Sequence, residues 1–334
     1  MNIAVIVDPL ESFKIYKDST YAMMREAQRR GHALYACQQN ELSLRDGIVS
    51  ARFHPLHLTG DTSGLPNAWF TLGDPQLTPL HQVDAVLMRK DPPFDMEYIY
   101  STYLLEAAGR HGANVFNDPR AVRDHSEKLS IAEFPQFTAT TMVTRSADDL
   151  RAFVAEHKIA IFKLLDGMGG VSIFQARHDD PNLSVIIETM NQFGAVSVMA
   201  QRYLPQIAQG DKRILLIGGE VVPYSLARIP KDGESRGNLA AGGRGVAQPL
   251  SARDREIAET LAPILASRGL LLVGLDVIGD CLTEINVTSP TCFQEITDQK
   301  LFDVAALFID QLEAAISTAN AQKQVVKDTA KLIS

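Results

Sequence analysis

Short apolar runs alternate with amphipathic stretches through the first third of the chain. Residues Ile3–Val7 are continuously apolar and open on Asp8-Pro9, the pattern of a strand buried on both faces. Asp18-Ser19 caps a helix over Tyr21–Arg30, which Gly31 ends, and Ala33–Cys37 is the next strand. Asp84–Met88 repeats the theme and runs into Arg89-Lys90-Asp91-Pro92-Pro93. The periodicity of Tyr98–His111 is helical, Asn114–Phe116 is a short strand, and Asn117-Asp118-Pro119 caps a helix carrying Lys128. This order predicts an open parallel α/β domain over 1–122. Its ligands belong beyond the carboxyl ends of the strands, where Asp8 and Arg89–Asp91 lie.

Beyond residue 122 the pattern is richer in β. Strands are expected at Thr140–Thr144, Ile159–Lys163, Val171–Ala176 and Val196–Gln201, with helices at Ala147–His157 and Asn182–Met190. Arg213–Ile217 and Val221–Ile229 form a hairpin around Gly218-Gly219-Glu220. Pro230–Val246 holds five glycines and cannot build a core, so it is a functional lid or disorder. Ala252–Arg268 is helical, Leu270–Phe293 holds a second hairpin, Leu301–Ile316 is the last helix, and 319–334 is a polar, frayed tail.

At 334 residues the chain is long enough for two or three domains. A net charge of −8 argues against nucleic acid as the main partner. No apolar run is long enough to cross a bilayer, and MNIAVIVDPL lacks the features of a signal peptide. Cys37, Cys281 and Cys292 form no CxxC pair, so neither a disulfide framework nor a thiolate zinc site is expected, and the cytoplasm is the consistent location. The first strand-to-helix turn lacks G-x-G-x-x-G, which excludes a nicotinamide-dinucleotide oxidoreductase of the usual kind.

Candidate chemistry concentrates in LLLVGLDVIGDCLTEINVTSPTCF, where Asp276, Glu284 and Asn286 stand on apolar ground. Glu284 and Asn286 share a strand face, and Asp276 joins them if it pairs with Glu284, which calls for an odd-length loop centred on Asp280. Such oxygens suit Mg²⁺; a hairpin with a polar outer face reads the same way. The glycine-rich loop after Lys163, Gly167-Met168-Gly169-Gly170, is not a Walker A motif, because its lysine precedes the glycines. It is either a flap whose N–H groups approach phosphate or a plain turn. Gln201, Tyr203 and Leu204 could offer backbone and apolar surface to a purine, and Asp211 could meet ribose or solvent. Arg213 and Arg228, on two strands of one hairpin, carry planar forks suited to carboxylate or phosphate.

With those residues identified, the chain closely resembles the bacterial-type glutathione synthetases of the ATP-grasp superfamily. MRKDPPFD (Met88–Asp95), DGMGG (Asp166–Gly170), SRGNLAAGGRG (Ser235–Gly245), VGLDVIGD (Val273–Asp280) and TEINVTSPT (Thr283–Thr291) carry the likeness, which runs from residue 1 to about Ile316. It implies an α/β fold in which an N-terminal substrate domain (1–122) precedes an α+β ATP-grasp part. That part comprises a central lid domain (123–203) and a C-terminal domain (204–318), with ATP between two antiparallel sheets. By resemblance Lys128 and Lys163 contact ATP phosphates, Gly167–Gly170 cover them, Gln201, Tyr203 and Leu204 hold adenine, and Asp211 meets the ribose. Asp276, Glu284 and Asn286 match the Mg²⁺ ligands, with Mn²⁺ as the alternative ion. Arg89, Arg213, Arg228, Arg236, Ser289, Pro290 and Thr291 fall where the family handles its peptide and the reacting carboxylate, and 230–246 matches a closing loop.

The implied reaction joins γ-glutamylcysteine to glycine with ATP, and the resemblance implies a homotetramer. One departure is Leu164, where the family usually has proline after the lysine; a looser flap is expected, without a change of reaction. An ATP-grasp ligase for another acid or peptide, and a non-catalytic nucleotide-binding protein, are the alternative functions.

Overall fold

The computed structural model describes residues 1–61, 63, 67–170, 172–231, 237 and 242–333, with side chains described through residue 325. The first sheet is built from β1 (Asn2–Ile6), β2 (Ala33–Cys37), β3 (Leu42–Arg45), β4 (Ile48–Leu58), β5 (Phe70–Leu72), β6 (Gln76–Pro79), β7 (Ala85–Met88) and β8 (Val115–Phe116), with α1 (Ser19–Arg29) and α2 (Met96–Arg110) between strands. The path β2-β1-β7-β8 is parallel, as expected of an open α/β sheet. Antiparallel pairings of β4 with β2, β3, β5 and β6 extend it, so the sheet is mixed rather than purely parallel. Period-2 alternation explains why β1 reads as one apolar run: Ile3 and Val5 join the cluster containing Met23 and Met24 of α1, while Ala4 and Ile6 join that of Tyr98 and Leu105 of α2.

Asp118 accepts from the Ala121 N–H at 2.8 Å and caps α3 (Pro119–Asp124). The helix stops there, so Lys128 is not on it, contrary to expectation; Lys128 precedes a 3₁₀ turn over Leu129–Glu133. Next come β9 (Thr141–Thr144), α4 (Ala147–His157), β10 (Ile159–Leu164), β11 (Phe174–Arg177), α5 (Leu183–Asn191) and β12 (Val198–Arg202). These strands form an antiparallel sheet, β11-β10-β12-β9, with its own core of Leu150, Phe153, Val154, Phe162, Ile187 and Val198. Alternation along β10 buries Ala160 and Phe162 in that core and leaves Ile161 and Lys163 for the opposite side.

The second antiparallel sheet, β15-β14-β13-β16-β17, uses β13 (Asp211–Ile217), β14 (Glu220–Ile229) and β15 (Arg244–Pro249), and, after α6 (Ala252–Ser267), β16 (Leu272–Ile278) and β17 (Cys281–Asn286). Residues 244–246, expected to belong to the lid, are strand paired with β14; most of 230–246, Arg236 included, lies outside the described residues. α7 (Phe293–Lys300) and α8 (Val304–Ile333) close the fold. The last helix does not end at Ile316, and 319–333 is not a frayed tail. Residues 317–333 contain no glycine or proline, and Lys323 ties the helix to Gly112 O (2.7 Å) and Asn114 Oδ1 (2.5 Å).

The Asn117 side chain fastens the first sheet to the five-stranded one. Asn117 donates through Nδ2 to Leu272 O and Val287 O and accepts from Leu272 N–H, all at 2.8 Å, so its amide stands in for a strand neighbour. Asn117→Ala would strand these groups in a partly buried seam. Its urea midpoint should fall by an amount equivalent to about 2–3 kcal/mol, and an unchanged midpoint would show that water replaces the amide freely.

Candidate active site

The β16–β17 hairpin sets the site's geometry. Asp276 pairs with Glu284, as its role requires, but not through an odd-length loop. The turn is the two residues Gly279-Asp280, with Ile278 opposite Cys281 and Val277 opposite Leu282. A β-bulge between Leu282 and Glu284 then supplies the extra residue, Thr283, whose hydroxyl donates to Asp276 O at 3.1 Å. A bulge and a longer loop thus give the same facing, and Asn286 follows on that face opposite Gly274.

These residues line a cavity of about 430 Å³ between the two antiparallel sheets. Ile161, Lys163 and Gln201 enter from the four-stranded sheet, and Asp211, Arg213, Arg228, Asp276 and Glu284 from the five-stranded one. Lys128 and Lys163, both buried, each bring Nζ to 3.7 Å from Glu284 Oε1, and Lys128 also donates to Gly167 O at the start of the glycine flap. Gly167, Met168, Gly169 and Gly170 all border the cavity, and φ values of 60° and 81° at Gly169 and Gly170 require the freedom of glycine. Tyr203 and Leu204 also line the cavity. Gln201 is paired on both sides, with Ile161 and Thr141, and Tyr203 N–H donates to Ile159 O, so less backbone is free here than the sequence suggested.

Next to the lysines lies a four-charge cluster. Arg213 Nε and Nη2 reach Asp276 Oδ1 and Oδ2 at 2.5 and 3.0 Å, while Arg228 Nη2 reaches Asp276 Oδ2 at 2.8 Å and Asp211 Oδ2 at 2.5 Å. Burial alone would raise the Asp276 carboxyl, but the two arginines hold it well below the usual carboxylate range. Asp211 goes the other way: burial pushes it up to about 6, even with Arg228 beside it. Its Oδ1 is buried without a hydrogen-bond partner among the described residues. Gly274 lets Arg213 lie flat, since a Cβ there would come within 2.8 Å of Arg213 Cδ and 2.9 Å of Pro290 Cβ.

Ser289, Pro290 and Thr291 border the cavity, whereas Arg89 does not line it. Arg89 is fully buried one layer behind, donating to Thr20 Oγ1 (3.1 Å) and Pro290 O (3.0 Å), and Ser289 Oγ donates to Asp91 Oδ1 at 2.5 Å. The segment after β7, braced by Thr20 of α1, therefore holds the segment after β17 in place.

Sequence reasoning missed Glu127, whose Oε1 accepts from Val287 N–H (2.9 Å), Thr288 N–H (3.1 Å) and Thr288 Oγ1 (2.8 Å), while its carbonyl accepts from Ile285 N–H (2.8 Å). It also missed Lys14, Lys17, Asp18 and Glu295 on the cavity wall. Only adjacency to Lys128 could have singled out Glu127; the others converge from distant parts of the chain.

No group of three His, Cys, Asp or Glu side chains among the described residues is arranged to hold a metal by itself. The donors present are two carboxylates in register and one amide. Asn286 Nδ2 donates to Gly274 O at 3.1 Å, which leaves Oδ1 as its remaining acceptor. This set fits a hard cation that keeps waters and shares its shell with phosphate, not one needing an all-protein cage.

The family described as prokaryotic glutathione synthetase matches the chain twice, with its N-terminal domain at residues 1–123 and its ATP-grasp domain at 127–301. The glutathione synthetase of Ralstonia nicotianae is 62% identical over 96% of this chain and 98% of its own, and that of Nitrosomonas europaea 59% over 96% and 100%. Among solved structures, the D-cycloserine synthetase DcsG superposes with a TM-score of 0.65 at 15% identity, covering 94% of this chain and 99% of its own. The ATP-grasp ligase PsnB with minimal precursor, Mg and ADP superposes at 0.59 and 16%, covering 95% and 98%, and these distant likenesses speak for the fold alone. The chain belongs to the prokaryotic glutathione synthetase family, and its fold is ATP-grasp.

Proposed function

We propose that this ATP-dependent ligase joins γ-glutamylcysteine to glycine through an acyl phosphate held in the cavity between the two antiparallel sheets. The observation that carries this reading is the convergence of Lys128 and Lys163 on Glu284, beside Arg213 and Arg228 on Asp276, at one cavity wall. Free carboxylate and amine do not condense in water, because oxide is a poor leaving group. Here the cysteinyl carboxylate attacks the terminal phosphorus and ADP departs. The glycine amine then attacks the acyl carbon, loses a proton, and phosphate leaves.

In this reading Lys128 and Lys163 bind the nucleotide phosphates, Gly167–Gly170 cover them, and Gln201, Tyr203 and Leu204 hold the base with Asp211 toward the ribose. Asp276, Glu284 and Asn286 would hold Mg²⁺ or Mn²⁺, which offsets phosphate charge and orients the transferring phosphoryl group. Arg213 and Arg228 stabilise negative oxygens on the carboxylate and the departing phosphate. Ser289, Pro290 and Thr291 contact the peptide, with Arg89 fixing them from behind, and Arg236, outside the described residues, is assigned to the same substrate by resemblance. The reading keeps 1–122, 123–203 and 204–318 as its three domains, and the separate core of the central sheet, from Leu150 to Ala200, supports a distinct unit in the middle one. No described helix is long and apolar enough to cross a membrane. The same reading takes the chain as a cytoplasmic homotetramer, on the family resemblance.

Purified protein with ATP and Mg²⁺ is expected to release phosphate only when γ-glutamylcysteine and glycine are both present. Comparable release with neither substrate, or a higher kcat/KM with an unrelated acid, would move the assignment to another ligase.

A further inference from the structure

We propose that Glu127 is a positioning residue for phosphoryl transfer, holding the cation-facing Asn286 and the peptide-contacting segment Ser289–Thr291 in fixed relation to the phosphate-binding Lys128. This rests on the ligase reading, which needs the peptide carboxylate, the cation and the terminal phosphate aligned at one wall of the cavity.

β17 is the outer strand of its sheet, so the N–H groups on its far side need partners from elsewhere in the chain. Glu127 supplies them at the end that carries Asn286. Its carbonyl accepts from Ile285 N–H at 2.8 Å, and its Oε1 accepts from Val287 N–H (2.9 Å), Thr288 N–H (3.1 Å) and Thr288 Oγ1 (2.8 Å). Asn286 lies between these anchors, so its backbone is fixed on both sides while its Nδ2 donates to Gly274 O at 3.1 Å. Beyond Thr288 the chain runs straight into Ser289, whose hydroxyl donates to Asp91 Oδ1 at 2.5 Å, and Pro290, whose carbonyl accepts from Arg89 at 3.0 Å. Glu127 thus holds the near end of a segment whose far end is braced by the N-terminal sheet.

The same residue is one peptide bond from Lys128, whose Nζ donates to Gly167 O at the flap and stands 3.7 Å from Glu284 Oε1. The flap, the phosphate lysine, the hairpin and the peptide segment therefore meet at Glu127. Its carboxylate does more than cover a strand edge. A backbone carbonyl suffices for Ile285, whereas three donors converging on one oxygen fix both the distance and the direction of the turn that follows. Letting that turn drift moves Asn286 and Ser289 together against Lys128, and a misplacement of about 1 Å between reacting groups costs on the order of a hundredfold in rate.

The test reads turnover per ATP-binding site, so that unfolded protein does not count. Glu127→Ala should lower kcat roughly 10- to 100-fold while the KM values for ATP and γ-glutamylcysteine stay within about 3-fold. Glu127→Gln, whose Oε1 can take the same three donors, should keep kcat within about 3-fold of wild type, whereas Glu127→Asp, which keeps the charge but is one methylene shorter, should lose nearly as much as Glu127→Ala. Thr288→Val withdraws one donor from the other side, and adding it to Glu127→Ala should cost less than the product of the two single losses. A loss confined to KM, a Glu127→Gln variant slower than Glu127→Asp, or losses that multiply would overturn the positioning role. Should Glu127→Ala misfold, the contrast of Glu127→Gln with Glu127→Asp and the Thr288→Val loss decide. Amide exchange at Ile285, Val287 and Thr288 in resting protein reads the anchor without turnover: it should be slow in wild type and Glu127→Gln and faster in Glu127→Ala, and exchange indifferent to Glu127→Ala overturns the anchor. A wild type that shows this exchange pattern yet does not join γ-glutamylcysteine to glycine sinks the ligase reading and leaves the anchor standing.

Discussion

Glu284→Gln should lower kcat by on the order of a thousandfold while leaving the fold intact. The substitution preserves shape and removes one charge from a side chain that is 19% exposed and meets Lys128 and Lys163 only at 3.7 Å. The lysines are buried, but the acid is partly exposed and 3.7 Å away, so the loss of stability should stay below about 3–5 kcal/mol, the cost of breaking a close buried pair. The consequences for ligands are opposite in sign. With the acid gone, two lysines face the cavity without their counter-charge, so ATP without metal should bind as well as before or better. The Mg²⁺ concentration for half-maximal turnover should rise roughly 10-fold or more, because a carboxylate donor has been replaced by an amide. Unchanged turnover together with unchanged Mg²⁺ dependence would show that the hairpin serves as a counter-ion for the lysines and nothing more.

The pairing of Asp276 with Glu284 was inferred from the need to face two acids and an amide one way, and that requirement is set by side-chain period alone. The device that meets it was not inferable: one extra residue can sit in the turn or in a bulge, and both restore parity. The chain puts it at Thr283, where a hydroxyl bond to Asp276 O secures it. Strands β1, β2, β7 and β10 were legible because their neighbours bury them on one or both faces. β4, the hub of four pairings, was missed although its outer residues alternate. His54 and Pro55 interrupt its apolar pattern. Arg89 is a different case. A basic cluster after a strand looked like ligand contact, yet burial against Thr20 and Pro290 O makes Arg89 the support behind the wall. Glu127 meets Val287 across 160 residues, and Glu295 is brought to the cavity by its neighbour Gln294, which meets Ile15 across 279, separations at which local pattern is silent.

Arg213→Met is expected to lower both turnover and stability, the latter by about 3–5 kcal/mol at neutral pH. Arg213, Arg228, Asp211 and Asp276 are a buried set with zero net charge, and removing Arg213 leaves two carboxylates sharing Arg228. The pH dependence separates this electrostatic account from lost packing. In the wild type the Asp276 carboxyl is depressed by its arginines, so its contribution is complete above the unfolded carboxyl value and fades only as acid carries the pH through the lower folded one. Asp211, already raised to about 6 by burial, behaves in the reverse sense and opposes folding once ionised. With one arginine for two acids, Asp211 should rise further and take up a proton first, relieving the variant as the pH drops from neutral toward 5. The gap in urea midpoint between wild type and Arg213→Met should therefore narrow over that interval. A gap constant across it would mean that the arginine stem, not its charge, holds the strands, and that the cluster lacks the coupled charges assigned to it here.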